Sequence, residues 1–208
     1  MEDKKTSKSK NENQNNNSIN QNNNIINSSK SNIINEKIDK KIIQKISNLL
    51  TDICEENTKE HKKEKFSYEI CVNIKPFISK NIPIISIKDY LERLCQYSKI
   101  NSSTVILILI YIDILCNRNK LKLTYFNIHK LILGAMMAAI KYNEEGYYSI
   151  KFYGKLGGVS KAELCQLEYN FISLINFNLY VSEELFQKYN DYISSADSDE
   201  DDYFDDEY

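Results

Sequence analysis

Four charged residues stand where the surrounding sequence is apolar: Arg93, Asp113, Lys141 and Glu168. Lys141 closes the stretch HKLILGAMMAAIKY, in which Leu131 to Ile140 carry no charge and no strong hydrogen-bonding side chain. Asp113 ends the aliphatic and aromatic run Val105–Ile112. Glu168 lies at the edge of a stripe formed by Leu164, Leu167, Phe171, Leu174 and Ile175. Helical geometry turns it about 170° from the polar face of Gln166, Asn170 and Ser173. A carboxylate in such a place is costly unless paired, and Arg93, on the preceding helix, is the candidate partner for Asp113. The chemistry open to these four groups is ion pairing and hydrogen bonding. The plainest form of it, two internal salt bridges, contributes little net stability by itself.

Bond-making chemistry has no comparable set of residues. Cys54, Cys71, Cys95, Cys116 and Cys165 are widely spaced with no C-x-x-C pair, and the chain has only two histidines. That spacing argues against a structural zinc site and for reduced, buried thiols of a nuclear or cytoplasmic protein. His129 has no sequence-near triad partner and reads as a hydrogen-bonded residue at a helix start. Gly154, Gly157 and Gly158 form a turn, because no G-K-[ST] follows and no strand precedes them. The 15 tyrosines lie mostly on helix faces and read as packing, not as a base-stacking platform. No catalytic residue, metal, cofactor or small-molecule substrate is expected.

Charge is unevenly distributed. Met1–Lys65 has 13 Lys/Arg against 10 Asp/Glu, Phe66–Ser194 has 14 against 11, and Ser195–Tyr208 has none against 8. The central segment is therefore only mildly basic, short of the footprint of a dedicated nucleic-acid binder. The N-terminus has no apolar segment of the signal-peptide kind. Val105–Ile112 is less than half of the roughly 20 residues that cross a bilayer, so a soluble chain without membrane association is expected.

These residues must be positioned by helices. Residues 1–35 form a low-complexity tail; between Asn11 and Asn35, 12 of 25 residues are Asn, which cannot bury enough apolar surface to offset backbone entropy. Residues 36–65 comprise an amphipathic helix and a linker. Ile38, Ile42, Ile46, Leu49 and Ile53 recur at helical spacing, widened by Ile43 and Leu50, and the lysine-rich Thr58–Lys65 is the linker. This helix is too apolar to remain alone in water and is expected to dock on the bundle.

Phe66–Ile78 is a short helix or an extended lead-in whose phenylalanines are expected to pack on the bundle. Ser86 caps the next helix, whose buried face carries Ile87, Tyr90, Leu91 and Leu94. Asn101 or Ser102 caps a second, running to about Asn117. Thr124 caps the central helix, and Gly146 lies beyond its end. Ile150–Lys155 is a short fourth helix, broken at Gly157-Gly158. Ser160 with Glu163 is a capping box opening a fifth, to about Asn176. Ser182, Glu183 and Glu184 open a last helix to about Tyr192. Residues 66–194 are thus the main domain of an all-α bundle, and 195–208 an acidic disordered tail. In that tail Ser198 precedes Asp199, Glu200 and Asp201, a context favoured by acid-directed kinases.

Residues Lys40–Tyr192 resemble the cyclins, specifically the small P/U-type of the phosphate-regulating group. The matching stretches are IIQKISNLLTDICEEN, IPIISIKDYLERLCQYSKI, VILILIYIDIL, LTYFNIHKLILGAMMAAIKY and YGKLGGVSKAELCQLEYNFISLINF. The phrase GKLGGVSKAEL after the central helix carries the most weight. The resemblance implies a single five-helix cyclin box over about 83–178, with flanking N- and C-terminal helices and no room for a second box after Tyr192. It implies that Lys141 and Glu168 look outward together and hydrogen-bond the backbone around the C-helix of a cyclin-dependent protein kinase. It implies that Arg93 and Asp113 form an internal pair fixing the box. Ile114 stands where many cyclins have Arg after the Asp, and the hydrophobic substrate-docking word of the larger cell-cycle cyclins is absent. The implied function is regulatory: a subunit that activates a kinase, with no chemistry of its own. The alternative is a cyclin-fold adaptor in transcription with no kinase partner, against which the mild core charge argues.

Overall fold

The computed structural model describes residues 39–63, 73–98 and 100–195. The expected Asn-rich tail, Ile38 of the expected helix stripe, the end of the expected linker, the first part of the expected lead-in with Phe66, and the acidic tail with Ser198 lie outside them.

The described residues form seven α-helices and one 3-10 turn, and no strand is present among them. The helices are α1 (Lys40–Lys63), α2 (Ile87–Tyr97), α3 (Ser102–Asn119), α4 (Ile128–Asn143), α5 (Ile150–Gly157), α6 (Lys161–Leu174) and α7 (Glu183–Ser194), with the 3-10 turn at Lys75–Phe77 before α2. Local side chains start most of them. Ser86, Asn101, Ser149, Ser160 and Ser182 each accept the backbone N–H three residues on, satisfying a donor that the first turn leaves free. The expected starts at Ser86, Asn101, Ser160 and Ser182 are therefore found.

α4 is the central element. Every residue from Leu131 to Ile140 is buried, because α3 and α6 flank it closely and α2 and the 3-10 turn cover further sides. Phe77 from the turn meets Phe171 of α6 edge to face, with ring centroids 6.3 Å apart. α3 is nearly as enclosed, with Thr104 through Ile112 all buried among α1, α4, α6 and α7. By length and composition alone it is long and apolar enough to cross a membrane; its walls make it a core helix instead.

α1 docks on α2, α3 and α7. Its buried centre is Ile43, Ile46, Leu50 and Cys54, with Ile42, Leu49 and Ile53 partly buried on the flanks. Asn57 Nδ2 donates to the Leu123 carbonyl at 2.9 Å and fixes its far end. The linker expected from Thr58 is not one: the helix continues to Lys63. Thr58 is buried and its hydroxyl accepts the Tyr125 N–H at 3.4 Å, so tertiary contact prolongs a helix that polar composition would have ended.

Two further expectations change. Thr124 does not cap α4; a turn from Thr124 to Asn127 intervenes, with the Thr124 N–H bonded to Asn127 Oδ1 at 2.9 Å. Asn170 is buried at 6% exposure instead of lying on a wet face, since α6 is covered by α5 as well as α4. The α5–α6 turn needs its glycines. Gly158 has φ +76°, which L side chains rarely adopt, and a Cβ on Gly157 would lie 2.5 Å from Leu133 Cδ2.

Candidate functional site

Lys141 sits in the last turn of α4, where a cation complements the helix dipole. The helix end is pinned from the other side. Glu144 Oε1 accepts from the Thr104 hydroxyl at 2.5 Å and the Asn101 N–H at 3.2 Å, and Asn143 Nδ2 donates to the Thr104 hydroxyl at 3.1 Å. These bonds lock the end of α4 to the start of α3 and leave Lys141 little backbone freedom.

Opposite it, α6 presents Glu168. The Lys141 ammonium and Glu168 Oε1 are 2.5 Å apart, and the side chains are 38% and 12% exposed. The structure therefore brings together the two residues expected to act as a pair. The carboxylate is largely removed from water and held by the lysine, while the lysine keeps an open side.

The surface around the pair is aromatic. Tyr142 and Tyr169, the sequence neighbours of the two charges, are 56% and 63% exposed. Tyr147 and Tyr148, in the segment after α4, are also exposed, and the Tyr148 ring packs at a tilt of 43° on Phe152 near the start of α5, with centroids 4.5 Å apart. Past the end of α6, Asn176 and Phe177 both take left-handed backbone, φ +58° and +57°. A bulky side chain rarely accepts that conformation, yet Phe177 does so while 65% exposed.

Arg93 and Asp113 were expected to form an internal pair, but no ion pair joins them among the described residues, and each makes other contacts. Asp113 Oδ2 accepts from the Tyr189 hydroxyl at 2.5 Å and lies 3.4 Å from Asn117 Nδ2. The Arg93 guanidinium stacks on the Tyr90 ring at 5.2 Å, and its Nε is buried with no hydrogen-bond partner among the described residues. The reason is geometric. α2 packs against α1, α4 and α5, with the Tyr90 hydroxyl donating to the Gly157 carbonyl, whereas the Asp113 side of α3 faces α7. Tyr189 was legible only as an aromatic on the half-buried face of the last helix, a type whose hydroxyl seeks a partner when covered.

Of the thiols expected to be buried, Cys54 and Cys95 are, Cys116 is partly so, and Cys165 on α6 is exposed instead. Burial pushes the thiols of Cys54 and Cys95 up to about 12, far from a nucleophile's range. His129 Nε2 bonds the Ile85 carbonyl at 3.0 Å, and burial lowers its pKa despite that bond, with Arg93 adding to the effect. No group of three or more His, Cys, Asp or Glu able to hold a metal occurs among the described residues. A groove of about 430 Å³ runs beside Thr58, Pro83, Ile85, Tyr125 and His129, and neither Lys141 nor Glu168 lines it.

Comparison with known proteins bears on the same stretch. A family model described as Cyclin matches residues 3–179. Cyclin-U4-1 of Arabidopsis thaliana is 30% identical over 160 residues, covering 76% of this chain and 77% of that one. Cyclin-U2-1 of the same plant is 28% identical over 152 residues, 73% of this chain and 68% of that one. A fission-yeast relative, the PHO85 cyclin-like protein psl1 of Schizosaccharomyces pombe, is 34% identical over 121 residues, 57% of this chain and 50% of its own length.

Proposed function

The chain belongs to the cyclin family, as a small P/U-type cyclin that regulates a cyclin-dependent protein kinase, and we propose that the Lys141–Glu168 pair is where it holds that kinase. The observation carrying this assignment is the pair itself: two charges from α4 and α6, 2.5 Å apart, with the lysine 38% exposed among exposed Tyr142 and Tyr169. The lysine donates and the carboxylate accepts, so together they fit the free backbone groups at the end of a partner helix. The surrounding aromatics supply apolar area, the usual composition of an interface centre.

Activation follows from preferential binding. The partner's C-helix is held inward against this surface, which lets its glutamate pair with the phosphate-binding lysine and orient ATP. The cyclin contributes no reacting group; it stabilises the active conformer and shifts the population toward it. Similarity to a PHO85 cyclin-like protein of fission yeast and to PHO85 cyclin-7 of Saccharomyces cerevisiae supports a kinase of that class as partner. The site of action is the nucleus, the cytoplasm or both, compartments in which buried thiols such as Cys54 and Cys95 stay reduced.

The test is a double replacement, Lys141→Ala with Glu168→Ala, assayed for kinase capture and for helical content by circular dichroism. Loss of capture with the fold retained is the expected result. Undiminished affinity would remove these residues from the interface.

A further inference from the structure

Arg93 is held in place without being paired. Its guanidinium lies over the Tyr90 ring, 5.2 Å from the centroid, and Tyr90 is itself fixed, buried and donating to the Gly157 carbonyl at 3.2 Å. The arginine as a whole is half-buried, and its Nε is buried with no partner. The terminal nitrogens are not buried in this way, and among the described residues no side chain or carbonyl accepts from them. None of the ion pairs of the described residues includes Arg93. The fork of the guanidinium therefore opens outward while its stem is clamped.

Its own helix explains the vacancy. Asp89, four residues earlier, stands where a helical ion-pair partner belongs. Its carboxylate instead accepts from the Ser86 hydroxyl at 2.7 Å, and its N–H donates to the same oxygen at 3.0 Å, which commits it to the cap of α2. Glu92 is exposed, and adjacent helix positions do not face each other. Tyr97, four residues after Arg93, falls within about 40° of it around the helix. It closes α2 and is 55% exposed. Tyr90, Arg93 and Tyr97 thus form one stripe that runs from the core to solvent.

We propose that this stripe docks an acidic segment of a partner protein, with a carboxylate held end-on by the Arg93 terminal nitrogens and an apolar side chain laid on the Tyr97 ring. The inference does not rest on the assignment of Lys141 and Glu168, which lie on α4 and α6. A guanidinium clamped on a fixed ring is already oriented, so little rotamer freedom is lost on binding. Its planar fork matches a carboxylate with two parallel, charge-assisted bonds. Tyrosine beside arginine is also the composition of an interface centre. The anion is a carboxylate and not a phosphate, because exposed Asp89 and Glu92 flank the site and repel a dianion about twice as strongly as a single charge.

The test titrates the full chain, by calorimetry, with a blocked peptide of alternating glutamate and leucine, with its glutamine–leucine counterpart and with inorganic phosphate. The acidic peptide should bind at least about tenfold more tightly than either alternative, and Arg93→Gln should weaken it by a similar factor, as the loss of one charge-assisted bond requires. Arg93→Lys, which keeps the charge but not the fork, and Tyr97→Ala should each weaken it as well, and these two decide the matter if Arg93→Gln is unstable. With the acidic peptide bound, His129 should titrate at a higher pH, because the carboxylate offsets the Arg93 charge that helps to hold it down. Lys141→Ala with Glu168→Ala should bind the peptide as the wild type does, which separates this site from the kinase surface. Absence of binding, equal binding of the two peptides, preference for phosphate, or wild-type affinity in the Arg93 and Tyr97 variants overturns the proposal.

Discussion

Removing Lys141 and removing Glu168 should have unequal effects on stability and equal effects on partner binding. Lys141→Ala leaves the Glu168 carboxylate, 12% exposed, without its cation. Fully buried pairs broken from one side lose about 3–5 kcal/mol, and fully exposed ones about 0–1 kcal/mol. With the lysine 38% exposed, and water therefore able to reach the carboxylate, the expected cost lies between these limits, at about 1–2 kcal/mol. For a domain of this size that is a fall in melting temperature of about 3–6 °C. Glu168→Ala releases only a lysine that can turn into solvent, so its cost should stay below about 1 kcal/mol. Glu168→Gln should behave like the alanine variant in stability. The assay is a thermal melt of each single variant and the double variant, followed by titration with the partner kinase. The double variant should cost less than the sum of the singles, because the second change removes the charge that the first left stranded. Equal destabilisation by the two single variants would refute the reasoning, since it would mean that the glutamate is not the more deeply committed partner.

Three other outcomes can be checked on the free protein. Gly157→Ala should cost about 1–3 kcal/mol of stability by chemical denaturation, because the new methyl meets Leu133 at 2.5 Å, whereas Gly158→Asn should be tolerated, since Asn accepts left-handed backbone. Asp113→Asn and Tyr189→Phe should couple by about 1 kcal/mol in a double-mutant cycle, while Asp113→Asn and Arg93→Met should be additive within about 0.5 kcal/mol; the reverse pattern would restore the Arg93–Asp113 pair. His129 should make the fold sensitive to mild acid. Its ordinary value is 6.5 and burial lowers it in the fold, so as pH falls through 6.5 the unfolded chain takes up a proton that the folded ring resists. Stability attributable to His129 is present above that pH and lost below it, and melts of the wild type and His129→Gln between pH 7.5 and about 5 should converge on acidification.

Much of this fold is set by short-range chemistry and could be read without coordinates. Ser86, Asn101, Ser160 and Ser182 cap helices because a side-chain oxygen at that position reaches an N–H three residues on, whatever lies elsewhere. The uninterrupted apolar circumference of Leu131–Ile140 leaves that helix nowhere to go but the centre. The same reasoning marks Lys141 and Glu168 as charges in need of a partner. Only the tertiary structure decided what each charge meets. Asp113 ends on Tyr189, 76 positions away on the helix lying across α3, and Arg93 ends on the ring of Tyr90. Helix periodicity gives the face on which a side chain emerges, but not which of several helices will cover it. The continuation of α1 to Lys63 and the burial of Asn170 have the same origin. Both depend on neighbours that come from distant parts of the chain, and the free energy that fixes them arises only when those parts pack.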